Sequence, residues 1–150
     1  MDETVLCYIE NEYGEYLMLY RNKEENDLNI GKCLGIGGHI EKGETPDEAL
    51  VREVYEETTL RLTNYRKRGT VVFKSESYSE LIHLYTAYAD KFSLGECNEG
   101  HLFWILKNKI FTLPLWQGDV VFLKKLINDE ENFNLILHYE NDKFIRSEEI

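Results

Sequence analysis

Residues 38–60, GHIEKGETPDEALVREVYEETTL, restrict the fold more than any other stretch of the chain. Gly35, Gly37, Gly38 and Gly43 imply a backbone that bends tightly and comes close to a ligand. A well-marked helix start follows. Thr45 is the N-cap, Pro46 suits the first helical position, and Glu48 completes a Thr-x-x-Glu capping box. A helix is therefore expected from about residue 46.

A helix turns by about 100° per residue, so Glu53, Glu56 and Glu57 share one face. Ala49 lies within that arc and leaves room, and Arg52 stands at its edge. Leu50, Val51, Val54 and Tyr55 are expected to form an apolar stripe that packs on a sheet. Acidic residues at helical spacing commonly form no more than a solvated face. Here three like charges would repel and weaken the helix unless something neutralised them. Arg52 neutralises one at most. A divalent metal ion would neutralise the rest, and that arrangement serves phosphate chemistry.

Gly38, Glu44, Arg52, Glu53, Val54, Glu56, Glu57 and Leu60 stand in the order of the Nudix box, and through them residues 38–60 resemble the Nudix hydrolases. The resemblance implies an α/β/α sandwich of α/β (α+β) class, with a mixed sheet and small antiparallel hairpins, formed by residues 1–150 as one domain. It implies Glu53, Glu56 and Glu57 as ligands of Mg²⁺ (or Mn²⁺), joined by the carbonyl of Gly37. It also implies that Arg52 bonds Glu44 and so orients the glutamates. Glu53 and Glu99 are both candidates for the general base. Glu99 is also a candidate metal ligand beyond the box, with Glu96 near enough to compete. One position departs: Thr59 stands where the box has glycine. Thr59 either takes a left-handed conformation at some cost or sits in an ordinary region. The pair Thr58-Thr59 favours the second, an extended exit into the next strand.

Outside the box the chain is similar to the MutT-type oxidised-nucleotide diphosphatases. Residues 18–23, 31–38, 98–100 and 113–119 carry this weaker likeness. It implies that Trp116 stacks on a purine and that Asp119 reads the base edge. A core role for Trp116 is the competing interpretation. Its neighbours Pro114, Gln117 and Gly118 favour a loop and a binding role. Arg21 and Lys23 are candidates for phosphate contact, or else surface charges, and Gly38 lets the loop approach the substrate. Trp104, within an apolar strand, is expected in the core. The implied reaction converts a nucleoside triphosphate, such as 8-oxo-dGTP, to the monophosphate and pyrophosphate. The box itself requires only a diphosphate. Dihydroneopterin triphosphate, ADP-ribose and dinucleotides therefore stay open as substrates, as does a sensing module without turnover.

Composition supports one compact core: 150 residues, 43% hydrophobic and 13% aromatic. No stretch approaches 18 consecutive apolar residues, and the N-terminus lacks a basic start and an apolar signal core. A cytoplasmic protein without a membrane partner is expected, as a monomer or homodimer. Net charge is −11, with no obvious basic patch, which argues against a nucleic-acid polymer. A small polyphosphate remains compatible if metal ions reverse the local charge. Cys7, Cys33 and Cys97 form no CxxC pair and are expected as buried free thiols. His39, His83, His101 and His138 share no metal-ligand spacing.

Alternation and turn residues predict strands at Thr4–Ile9 and Tyr16–Arg21, joined as a hairpin through residues 11–14. A polar loop is expected over 22–32, then a short glycine-rich strand over 34–38. Further strands are expected at 69–74, 81–89 and 101–106, with 75–80 as a connection. A second helix is expected over 119–128, with Val120, Leu123, Lys124 and Ile127 at helical spacing, then a hairpin of 134–139 and 143–145.

Overall fold

The computed structural model describes residues 1–89, 94–95 and 97–150. Glu96, a candidate from the sequence, lies outside them. The strands are β1 (Asp2–Glu10), β2 (Glu15–Arg21), β3 (Cys33–Leu34), β4 (Ile36–His39), β5 (Leu62–Lys74), β6 (Ser79–Ala89), β7 (Gly100–Leu106), β8 (Phe133–Glu140) and β9 (Lys143–Glu149). The helices are α1 (Pro46–Thr58) and α2 (Asp119–Ile127), with a 3₁₀ helix at Lys107–Thr112.

β1 is the organising strand. It runs antiparallel to β4 and parallel to β6, and the sheet continues through β5, β8 and β9. β2 pairs antiparallel with β3 and β7. Alternation along β1 explains why both faces are covered. Val5, Cys7 and Ile9 face a core shared with Ala49, Leu50 and Val54 of α1. Leu6 and Tyr8 face a second core with Phe122, Leu123 and Leu126 of α2. The α/β/α sandwich with a mixed sheet is thus observed.

Several local expectations are corrected. β1 and β2 follow one another through the turn at Asn11, but they pair only at Glu10↔Tyr16, so they do not form an extended hairpin ladder. β4 and β6 take the two edges of β1 instead. Glycines divide the 34–38 segment into β3 and β4. At Gly35 and Gly37 any side chain would run into the β1 carbonyls of Cys7 and Val5. On α1, Val51 and Tyr55 are 40% and 43% exposed, while Ala49 and Thr58 are fully buried. The covered arc is therefore rotated toward the glutamate side. On α2, Phe122 and Leu126 are buried in place of the expected Val120, Lys124 and Ile127. The three cysteines are buried and free.

Candidate active site

β4 carries the chain out of the sheet at His39, and the loop that follows turns it into α1. The Thr45 hydroxyl accepts from the Glu48 N–H at 3.2 Å, and Glu48 accepts from the Thr45 N–H at 2.9 Å, so the expected capping box is formed. Arg52, two turns along, ties loop to helix. Its Nε and Nη2 donate to the two oxygens of Glu44 at 2.6 and 2.8 Å, and Nη2 also donates to the His39 carbonyl at 3.1 Å. This fork-on-carboxylate geometry is the strong form of the interaction. The hydrogen bonds from Arg52, aided by the Glu41 N–H, hold the Glu44 carboxyl down at about 2.

The three glutamates of α1 differ in surroundings. Glu56 is exposed, and Arg52 Nη1 donates to it at 3.2 Å. Glu53 is half-buried against the loop and accepts from the same Nη1 at 2.8 Å. A side chain at Gly38 would collide with the Glu53 carboxylate at 2.5 Å, so glycine there lets Glu53 lie against β4. Glu57 is 8% exposed, and neither of its oxygens has a hydrogen-bond partner among the described residues. Burial first, then the neighbouring carboxyls of Glu99 and Glu53, pushes the Glu57 carboxyl well up, with Arg21 opposing. Among the described residues, no group of three His, Cys, Asp or Glu side chains is gathered as a metal would require. The predicted ligand set of Glu53, Glu56, Glu57 and Glu99 is therefore not pre-assembled, because Arg52 engages Glu53 and Glu56. Glu57, with Glu99 beside it, is what fits a cation. Two carboxyls meet in a buried place where charge without a partner is costly.

Arg21 and Lys23 are spent on the protein itself. Arg21 Nε donates to Asp27 at 2.7 Å, and its Nη1 lies 3.1 Å from Glu99. Lys23 Nζ donates to the Cys97 carbonyl at 2.8 Å. They fasten the 22–32 loop and the segment before β7 around Glu99.

A cavity of about 310 Å³ runs from this region along β1. Two groups of its lining are joined by contacts of their own: Arg21 with Glu99, beside Gly37 and Gly38, and Phe73 with Tyr78 and Trp116, Tyr78 in turn holding Glu80, with Asp119 also in the wall. Trp116 is 8% exposed and belongs to the α2-side core while also walling the cavity. Its ring packs edge-on against Phe73 and Tyr139, Lys32 Nζ lies 5.2 Å over it, and its N–H donates to Asn29 Oδ1 at 2.8 Å. Trp116 is thus a core residue that also lines the cavity. Asp119, at the start of α2, is buried, and burial and then the Glu80 charge push its carboxyl up to about 7, with Lys32 opposing. Sequence reasoning missed Asn29 and Glu80. Nothing in their local sequence signals a site.

Thr59 is the other correction. It lies at φ 64°, ψ 4°, a left-handed helix end, and not in the extended exit expected. Its N–H donates to the Tyr55 carbonyl at 2.9 Å, and the Gly95 N–H donates to the Thr58 carbonyl at 3.0 Å. The Thr58 hydroxyl donates to the Val54 carbonyl at 2.6 Å and accepts from the Leu60 N–H at 3.0 Å. These bonds over-determine the turn and force a β-branched residue into a region it disfavours.

Comparison with known proteins places the chain in a family and agrees with the fold. A model of the NUDIX domain family matches residues 2–125. A Danio rerio protein named oxidized purine nucleoside triphosphate hydrolase is 28% identical over 106 residues, covering 69% of this chain and 68% of that protein. A Mus musculus protein of the same name is 26% identical over 110 residues, covering 72% and 70%. The crystal structure of a MutT protein from Bacillus halodurans matches with a TM-score of 0.88 at 20% identity, covering 99% of this chain and 97% of that one.

Proposed function

The chain belongs to the Nudix family, and from that premise we propose that it is a Mg²⁺-dependent hydrolase of a nucleoside triphosphate, releasing the monophosphate and pyrophosphate. An oxidised purine such as 8-oxo-dGTP is the proposed substrate, and the clearing of damaged nucleotides in the cytoplasm the proposed role. One observation carries the reading. The buried Glu57 carboxyl, which accepts no hydrogen bond from a donor among the described residues, neighbours Glu99, and Glu99 lines the same cavity as Trp116 and Asp119. A phosphate chain beside the carboxyls and a base beside the tryptophan fit that lining, and the volume is at the lower end of small-molecule sites.

Glu57 and Glu99 are the residues that would hold the metal, with Glu53 and Glu56 available once released from Arg52. A divalent cation bound there would neutralise phosphate charge and lower the pKa of the attacking water. The protein's own groups do the rest. Arg52 and Glu44 fix the loop against α1, so the backbone of Gly37 and Gly38 is held where phosphates would lie. Arg21 holds Glu99 in place through a 3.1 Å ion pair. Glu53 or Glu99 takes the proton from water as general base. Trp116 and Asp119 hold the base.

The test is a hydrolysis screen with and without Mg²⁺ over normal and oxidised nucleoside triphosphates, dihydroneopterin triphosphate, ADP-ribose and a dinucleotide. Metal-dependent release of pyrophosphate, fastest with an oxidised purine, is expected. Turnover of ADP-ribose or the dinucleotide alone would reject the substrate, and no turnover of any diphosphate would reject the activity.

A further inference from the structure

Glu80 opens β6 beside β1, opposite Asp2 in the parallel register. Two residues along β1, Thr4 donates its hydroxyl to Glu80 Oε2 at 2.7 Å. Tyr78 donates to Glu80 Oε1 at 2.9 Å. An exposed glutamate at a strand end would ordinarily sway in solvent. This one is half-buried, held by a donor on each oxygen, and lines the cavity at its Trp116 end. A carboxylate has about four acceptor sites, so roughly half its capacity is left. Asp119, more than nine-tenths buried in the wall of the same end, has no hydrogen bond or ion pair on its side chain among the described residues.

The hydroxyl and indole donors that line this end are already used within the protein, and Lys32 Nζ, outside the lining, sits over the Trp116 ring. The Thr4 and Tyr78 hydroxyls serve Glu80, and the Trp116 N–H serves Asn29. Because Asn29 Oδ1 is occupied, its amide NH₂ is the donor left over. The cavity end therefore offers two carboxyl acceptors and one amide donor. That pattern is the complement of a ring edge presenting a carbonyl, an N–H and an amino group side by side. An adenine edge, with one amino donor and a ring-nitrogen acceptor, supplies a donor to only one of the two carboxyls.

Resting on the nucleotide reading above, we propose that Glu80 is a specificity-determining residue that, together with Asp119, accepts hydrogen bonds from a 2-amino-4-oxo ring edge, the edge shared by guanine and pterin bases. Glu80 acts on ring choice and takes no part in phosphate chemistry.

The experiment compares wild type with Glu80→Gln, which keeps the shape and one acceptor oxygen but puts an NH₂ group where an acceptor stood. Calorimetric binding of GMP, AMP and neopterin monophosphate in EDTA reads ring choice without metal or turnover. kcat/KM for GTP against ATP with Mg²⁺ reads it again. Wild type should prefer GMP or neopterin monophosphate over AMP, whichever of the two binds more tightly naming the source of the edge. Glu80→Gln should reduce that preference by about tenfold or more, the scale of one hydrogen bond to a charged acceptor. Tyr78→Phe, which frees one oxygen of Glu80, should move the same ratio in the same direction by less, and it carries the test if Glu80→Gln does not fold. An unchanged ratio, an equal loss for all rings, or a wild type that prefers AMP would overturn the proposal. A wild type that binds none of the three and cleaves no triphosphate would overturn the nucleotide reading first, and this assignment with it.

Discussion

Replacing Thr59 by glycine removes a Cβ from a residue held at φ 64°. The left-handed conformation costs a non-glycine residue about 1–2 kcal/mol. Glycine gives back about 0.5–1 kcal/mol of that through its freer unfolded chain. Thr59 is exposed, so little burial is lost. The balance is a stabilisation of about 0.5–1 kcal/mol. With a urea slope of about 2 kcal/mol/M for a chain of this size, the midpoint should rise by about 0.3–0.5 M at constant slope. A second variant checks the cause. A methyl added at Gly95 would meet the Thr59 methyl at 2.5 Å. The space that glycine normally provides at the helix end is thus provided across the contact, by Gly95. Gly95→Ala should cost about 1–3 kcal/mol in the wild type and clearly less in the Thr59→Gly background, a coupling of at least about 0.5 kcal/mol. A midpoint that falls in Thr59→Gly, or a Gly95→Ala cost that is the same in both backgrounds, would refute the strained-cap account. Hydrolysis should be unchanged in Thr59→Gly, since none of the proposed ligands moves.

Glu57→Gln should lower turnover by at least about a hundredfold. Without metal, however, it should raise the urea midpoint, because a buried carboxyl with no hydrogen-bond donor among the described residues must take up a proton on folding, whereas the amide is neutral already; near-normal turnover at saturating Mg²⁺ would remove Glu57 from the site. Asp119→Asn should separate from wild type with pH. The folded carboxyl is raised to about 7 from 3.8, so its share of stability is complete below about pH 4 and lost as pH rises through 7. The variant's advantage in denaturation should therefore be near zero at pH 4 and grow to at most about 4 kcal/mol at pH 8, and a flat difference would contradict the shift. Trp116→Ala should raise KM for the best purine nucleotide by roughly tenfold to a hundredfold. It should also destabilise the fold by about 3–5 kcal/mol, because the ring belongs to the α2-side core. A large stability loss with an unchanged KM would leave Trp116 a core residue alone.

What the sequence determined by itself was local. Thr45, Pro46 and Glu48 fix the start of α1 because a capping box closes within four residues. The Arg52–Glu44 lock was expected from the likeness to the Nudix box, whose two partners stand only eight residues apart. The layered sandwich was legible from the two helical segments only with the likeness to the Nudix fold, since periodicity alone did not identify it. The tertiary structure decided the rest. Helical spacing defined an arc of α1 but not its covering, so Val51 and Tyr55 read as core until the sheet met Ala49 and Thr58 instead. Propensity favoured an extended Thr59, and the bonds from Tyr55, Val54, Leu60 and Gly95 around the turn outweighed it. Arg21 and Glu99 were separate candidates in the sequence, and only the fold set them 3.1 Å apart. Glu80 and Asn29 had no signal at all, since they reach the cavity only through the parallel pairing of β1 with β6 and the packing of the 22–32 loop on Trp116. Side chains more than 50 residues apart in sequence meet there because the sheet register brings them together, and register is set by the burial of whole strands and not by any short stretch of sequence.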